Sequence, residues 1–319
     1  MCETALGIKE LFPRLDEAAF KAEYWLTRMY WEHATAGRLD GFQDIGSIGG
    51  VAALALRSRM ALKAILGAKH NETNEIKIDA TSILSLFDSG ATIVCNQIDR
   101  WHDVVRACAM KLASDLFLPP NVVSCNLYLS PEGRGVPMHF DNHEVFIVQL
   151  AGSKRWRLAV NRNVKYPTAN SGPQLVSEVA AYSHGHAPQR MPAGTSVHMR
   201  PGSTLFLPRG VWHQTDASKM SISLTFGVYV PTWAELLNAH LSSRLTQSLA
   251  WREPAWLAWS NGKDGHKAEK QWARLKKTIT PILEPTELSH LTGHSDGREA
   301  VKTLGKSRRR RPGVARKNS

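Results

Sequence analysis

His139 and Asp141 stand two residues apart, and a second histidine, His213, follows 74 residues after the first. If these three act together, the chain has to close on itself. Side chains at i and i+2 of a strand point to one face, so His139 and Asp141 on a strand aim at one point. The next residues, Glu144-Val-Phe-Ile-Val-Gln-Leu150, are rich in β-branched and aromatic types and read as strand. Gly152-Ser153 then marks a turn, and Arg155-Trp-Arg-Leu-Ala-Val160 reads as the second strand of a hairpin. Upstream of His213, the turn signals Pro201-Gly202 and Pro208-Arg-Gly210 flank a short apolar strand, Thr204 to Leu207, and His213 opens the next strand. Short strands that bring distant residues together are the signature of a closed β-barrel.

Two imidazoles and one carboxylate occupy one face of an octahedral metal and leave positions open, the arrangement of non-haem Fe(II) oxygenases. They are neither the thiolates of a structural zinc site nor the all-oxygen set of calcium or magnesium. The H-x-D pair alone is common by chance. The hairpin, the Pro-Gly-x-x-Leu-Phe-x-Pro-x-Gly pattern from Pro201 to Gly210 and the second histidine make the combination specific.

The stretch from Asn126-Leu-Tyr-Leu-Ser-Pro131 through His139 to Gly-Ser-Lys-Arg-Trp156, resuming at Pro201 and ending near Ser223-Leu-Thr-Phe-Gly227, resembles the JmjC/cupin oxygenases. Within them it is most similar to the cupin-4 group that contains the ribosomal oxygenases. The resemblance implies a double-stranded β-helix that binds Fe(II) and 2-oxoglutarate, uses O2, and hydroxylates a protein or peptide side chain. It implies His139, Asp141 and His213 as the iron ligands and catalytic centre. Lys154 matches the basic residue that holds the distal carboxylate of 2-oxoglutarate; a buried lysine suits that dianion as a compact point charge, with Arg209 as the alternative cation. Tyr128 and Thr225 match positions that add hydroxyl hydrogen bonds to the cosubstrate, and Asn126 shares a strand face with Tyr128. Residues 231–319 are fewer than the helical and winged-helix regions that follow the barrel in that group, which leaves the ribosomal-protein substrate open.

The fold class expected is mixed α+β: a cupin/JmjC jelly roll at 121–230, a mixed, largely helical region at 1–120 supporting it, a helical region at 231–285 suited to homodimerisation, and a disordered basic tail at 286–319. Helices are expected over Leu15–Tyr30, Ala52–Leu66, Trp101–Phe117, 233–250 and 266–280. Ile76–Phe87 is ambiguous, and Ile93-Val-Cys95 reads as an early strand. The insert Asn161–Met199 reads as loops beside the active site. No apolar run is long enough to span a membrane, and the N-terminus lacks the pattern of a signal peptide. Four scattered cysteines (Cys2, Cys95, Cys108, Cys125) without a C-x-x-C suit free thiols in the cytoplasm. The net charge is +12, and eight basic residues with no acidic ones lie from Lys302 onward. That tail suits a nucleic-acid or acidic partner, or simply a solvated chain.

His143, two residues after Asp141, can share its face as a substrate-contacting or supporting group. His184 and His186 offer a metal pair but read better as a solvated loop, and His198 offers a strand position near the site but reads better as a structural histidine. The ligand triad leaves the outcome open between stable hydroxylation and N-methyl demethylation. It also leaves open a small molecule or biosynthetic precursor peptide as substrate, and a non-catalytic cupin binding module.

Overall fold

Two long strands carry the architecture of this computed structural model, in which residues 5–66, 74–259, 261–283 and 286–292 are described. The strands are β1 (Tyr30–His33), β2 (Ala61–Leu66), β3 (Asn74–Ile78), β4 (Thr92–Asn96), β5 (Val123–Ser130), β6 (Glu144–Ala159), β7 (Thr195–Met199), β8 (Ser203–Leu207) and β9 (Trp212–Val228). Their pairings are antiparallel, in the order β1-β8-β6-β9-β5-β4-β2-β3, with β7 also on β6. With helices around this sheet, the fold is mixed α+β. β6 and β9 run side by side for almost their full length: the first half of β6 lies between β8 and the end of β9, the second half between β7 and the start of β9.

The expected hairpin turn at Gly152-Ser153 is instead a bulge within one continuous strand. The β6–β9 register shifts between Gln149 and Ala151 and again between Gly152 and Lys154. Gly152 has φ +64°, a conformation that costs glycine little. A Cβ there would run into the backbone carbonyl of Met220. The glycine therefore bends the strand, as glycine bulges do. Gly152→Ala is expected to cost about 1–3 kcal/mol from backbone strain alone, with the clash in addition; urea unfolding measures it, and an unchanged midpoint would contradict the bulge.

The first half of β6 is buried on both faces, which explains its unbroken apolar run. Val145 and Ile147 point into a core with Trp156, Leu158, Val197, Met199, Leu205 and Leu207. Phe146 points the other way and is covered by the N-terminal aromatics, with Phe20 5.8 Å and Trp25 6.2 Å from it. Phe20 lies on the helix Glu17–Glu23, whose first turn is capped by the Asp16 carboxylate. That helix is shorter than the Leu15–Tyr30 expected, because Leu26 turns the chain at φ +63° and Tyr30 begins β1.

The Ala52–Leu66 segment divides. Its first part lies in the helix Ile48–Leu56, and Ala61–Leu66 becomes β2 between β3 and β4. Sheet pairing overrides helix propensity there. The ambiguous Ile76–Phe87 segment contains the end of β3 and most of the helix Ile83–Asp88. The helix expected near Trp101–Phe117 spans Asp103–Asp115 and buries Val105, Cys108, Ala109, Leu112 and Ala113. The insert is not only loop: it supplies β7 and a short helix, Ser177–Ala180. Its Val164, Val179 and Ala187 pack with Phe140 and Trp212 in a second apolar cluster.

The chain divides into two compact units, Met1–Val230 and Pro231–Ser319. The sheet of the first crosses residue 120, since β1 to β4 come from before it. The second contains the helices Trp233–Leu245, Leu249–Arg252, Gly262–Lys276, Thr280–Leu283 and Leu288–Thr292. Of the tail expected to be disordered at 286–319, residues 286–292 are described and Leu288–Thr292 is helical; the rest, with its basic residues from Lys302, lies outside the described residues, as does Cys2. Among the described residues no helix is long and apolar enough to cross a membrane.

Candidate metal centre

His139 and Asp141 do not lie on a regular strand, contrary to the expectation from their spacing. They sit in a short extended segment ahead of β6, held by two isolated bridges. The His139 N–H donates to the His213 carbonyl at 3.0 Å, and the His213 N–H donates back at 2.8 Å. Residues opposed in this way carry their side chains on one face, and the two imidazole centroids lie 4.1 Å apart. Phe140 faces away, bridges to Ser171 and packs edge-on against Trp212. Asp141 returns to the shared face, and its carbonyl accepts the Gly210 N–H at 2.8 Å. The alternation of an extended chain thus operates without a full strand.

One ligand atom from each of the three residues falls within 4.8 Å of the others. The Asp141 carboxylate oxygens lie 4.0 Å from His139 Nε2 and 3.6 Å from His213 Nε2. Behind the rings, His139 Nδ1 is 2.8 Å from the Pro137 carbonyl and His213 Nδ1 is 2.9 Å from the Val211 carbonyl. A carbonyl only accepts, so each Nδ1 carries the proton and each Nε2 presents a lone pair to the shared point. Burial, then the neighbouring His139, pushes His213 down to about 4, so it is neutral at pH 7. Burial on its own would raise the Asp141 carboxyl, but His143, His139 and His213 together hold it below its ordinary value. Two imidazoles and one carboxylate are the donor set of non-haem Fe(II) sites. They face a cavity of about 470 Å³.

Lys154, Tyr128, Thr225 and Asn126 line the same cavity. Lys154 lies just beyond the β6 bulge and is 2% exposed. Among the described residues no carboxylate pairs with it, and burial lowers its ammonium to about 8. The nearest aromatic face is that of Tyr128, with its centroid 5.8 Å away. The Tyr128 hydroxyl is pushed up by burial and by Asp141. Thr225 stands opposite Asn126 in the β5–β9 register, and Asn126 Oδ1 accepts the Gln97 N–H at 2.9 Å.

Among the cavity residues that sequence reasoning misses, two carry unsatisfied polar atoms. Ser223 Oγ and Trp156 Nε1 are buried polar atoms without a hydrogen-bond partner among the described residues. Each stands two positions from a candidate residue, Thr225 and Lys154, so strand alternation carries the signal that finds them. An unpartnered buried cation and two orphaned polar atoms in one cavity fit a ligand that brings negative charge and hydrogen-bonding oxygens.

The remaining candidates separate. His143 lines the cavity, stacked on Tyr229 with centroids 4.1 Å apart. His198 is exposed on β7, and His184 and His186 lie in an exposed loop. Arg209 is not a free cation: it grips Glu144, itself fully buried, through two hydrogen bonds of 2.6 and 2.9 Å, and also donates to the Val230 carbonyl. Arg209→Ala is expected to cost about 3–5 kcal/mol by leaving Glu144 buried and unpaired. Replacing both partners with apolar residues should cost much less, and equal losses in a denaturant titration would refute the pairing.

Residues 109–236 match the JmjC domain. The chain is 28% identical to the uncharacterized protein YxbC of Bacillus subtilis, over 74% of each protein. It is 33% identical to ribosomal oxygenase 2 of Mus musculus over 46% of this chain, and spans only 29% of that relative's length. The fold is similar to that of the Escherichia coli ribosomal oxygenase YcfD in complex with cobalt and 2-oxoglutarate. The TM-score is 0.59 at 18% identity, covering 88% of this chain and 69% of the other. Residues 109–236 of this chain are therefore similar to a JmjC domain, and the relatives that share this stretch include ribosomal oxygenase 2.

Proposed function

We propose that this chain is an Fe(II)- and 2-oxoglutarate-dependent oxygenase that hydroxylates a side chain of a protein or peptide, with a ribosomal protein the first class to test. One observation carries the reading: a buried lysine without an acidic partner among the described residues shares a cavity with two histidines and a carboxylate that converge on one point. Relatives named ribosomal oxygenases support the protein substrate.

In this reading His139, Asp141 and His213 hold the iron through Nε2, a carboxylate oxygen and Nε2. With 2-oxoglutarate and O2, the bound iron would supply the oxidising power to place oxygen in an unactivated C–H bond, giving succinate and CO2 as co-products. The protein's own contribution is placement. The Pro137 and Val211 carbonyls fix the tautomers of the two histidines. Lys154 neutralises the distal carboxylate of the cosubstrate, and the Tyr128, Thr225 and Ser223 hydroxyls, the Trp156 N–H and Asn126 surround it. Asn170 and Gln174, brought to the cavity by the insert, line the space left for the substrate side chain. Burial of Lys154 and His213 lowers the local dielectric, which strengthens their polar contacts.

A cytoplasmic setting belongs to the same proposal and is supported by Cys95, Cys108 and Cys125, buried cysteines that form no disulfide among the described residues. A homodimer through residues 233–285 is supported by the exposed Trp233, Leu249, Trp256 and Trp259. The test of function is succinate formation by the anaerobically purified, Fe(II)-loaded chain, with and without ribosomal-protein peptides. Turnover that rises with peptide supports a protein hydroxylase. Bound iron without turnover under either condition would favour a cupin binding module.

A further inference from the structure

The helix Gly262–Lys276 in the second unit carries an exposed cationic stripe that the oxygenase chemistry does not use. Lys263, Lys267, Lys270, Arg274 and Lys277 recur at alternating steps of four and three residues, and His266 lies beside them. At 100° per residue these six positions fall within about 100° of arc and extend over about 21 Å. All six are exposed, and Lys263, His266, Lys267 and Lys270 border one concavity. The acidic residues of the helix, Asp264 and Glu269, project outside that arc. They pair at its margin, Asp264 with Lys267 at 2.8 Å and Glu269 with His266 at 3.3 Å, between side chains all at least half exposed. Exposed pairs of this kind leave the field of the stripe largely intact.

A row of like charges repels itself and adds nothing to the helix. Its opposite face carries the residues that pack within the unit: Ala268, Gln271, Leu275 and Ile279 are half-buried, and Trp272 meets Trp251 edge-on at 6.2 Å. The apolar side is thus partly engaged within the unit, with Trp272 still 51% exposed, and the cations dominate the opposite surface of the helix. A linear array of five full charges complements a linear polyanion.

We infer that this face of the helix Gly262–Lys276 docks on the phosphodiester backbone of RNA. The choice of RNA rests on the ribosomal-protein reading above, since such a substrate is surrounded by RNA when assembled. Contacts of this type position and recruit without reading sequence. The eight cations from Lys302 onward would add to the same attraction.

The experiment uses the full chain, without iron or 2-oxoglutarate, so its outcome is independent of the succinate assay. Binding of a fluorescein-labelled, mixed-sequence single-stranded RNA is followed by anisotropy across a salt series. The wild type is compared with Lys263→Gln/Lys267→Gln/Lys270→Gln/Arg274→Gln and with a tail variant in which Arg308 to Arg311 become Gln. Glutamine keeps helix propensity near that of lysine and arginine, and circular dichroism checks that helix content is retained. The helix variant is expected to bind at least about tenfold more weakly near physiological salt. Its log–log salt slope should fall by about 3, four cations at about 0.7 each. An unchanged slope and affinity in the helix variant would overturn the inference and assign any binding to the tail. So would a preference for the DNA strand of the same sequence, or binding to phosphatidylserine vesicles without binding to RNA.

Discussion

Asp141→Ala is expected to abolish succinate formation at every Fe(II) concentration tested. In the proposed centre Asp141 supplies the anionic donor, and the two imidazoles each present Nε2. Removing the carboxylate takes away one coordination position and the charge that offsets the metal. Loss of a group merely supporting a ligand costs about 10–100-fold, and loss of the ligand itself should exceed that. The fold has little reason to suffer, because the contact residue 141 makes with Gly210 is through its backbone carbonyl and alanine keeps it. A Co(II) titration followed by visible absorption separates metal loss from other defects. Turnover at the wild-type rate with metal still bound would remove Asp141 from the ligand set. Asp141→Asn keeps the shape without the charge, and it should fail nearly as completely if charge rather than packing is what the site needs.

The parts of this site that are legible in the sequence are those governed by alternation. His139 with Asp141, and Tyr128 with Asn126, follow from the period of two, and all four reach one cavity. The same rule, carried two residues further, leads to Ser223 from Thr225 and to Trp156 from Lys154. What sequence could not give is the state of the backbone that produces the alternation. Gly152 has the composition of a turn, yet pairing with β9 on both sides turns it into a bulge, and only the partner strand decides between the two. Ala61–Leu66 has helical composition and becomes a strand because β3 and β4 flank it. Arg209 and Lys154 are both cations near the same motifs. Only the three-dimensional structure distinguishes them, by the buried Glu144 that occupies one and not the other. Partner choice across long sequence separations decided each of these, and one-dimensional patterns hold little of that information.

Lys154→Met should make the metal-free protein more stable while weakening its use of 2-oxoglutarate by about 100-fold or more. The two effects share one cause. Burial lowers the Lys154 ammonium from 10.5 to about 8, so at pH 7 the native state holds a charged lysine at a penalty of about 3 kcal/mol, a tenfold loss of proton affinity being worth about 1.4 kcal/mol. Methionine fills a similar volume without the charge, so the variant should recover much of that penalty, as apolar replacement of buried charge often does. Between pH 8 and 10.5 the unfolded wild type binds this proton and the native state does not. Wild-type stability should therefore rise across that window relative to the variant, and the gap should close by its upper end. With cosubstrate the order reverses. The dianion brings the counter-charge that Lys154 lacks, and losing one partner of a buried ion pair costs about 3–5 kcal/mol, more than two decades in affinity at about 1.4 kcal/mol each. Thermal melts should show 2-oxoglutarate stabilising the wild type and not the variant, and succinate assays should show saturation moved to far higher 2-oxoglutarate. A variant no more stable than wild type, with unchanged saturation, would mean that Lys154 is solvated and that the distal carboxylate is held elsewhere. A variant that gains stability yet saturates normally would keep the burial argument and discard the cosubstrate role. The proposal requires both effects together, because a buried lysine with no acidic partner among the described residues costs stability that a bound dianion would offset.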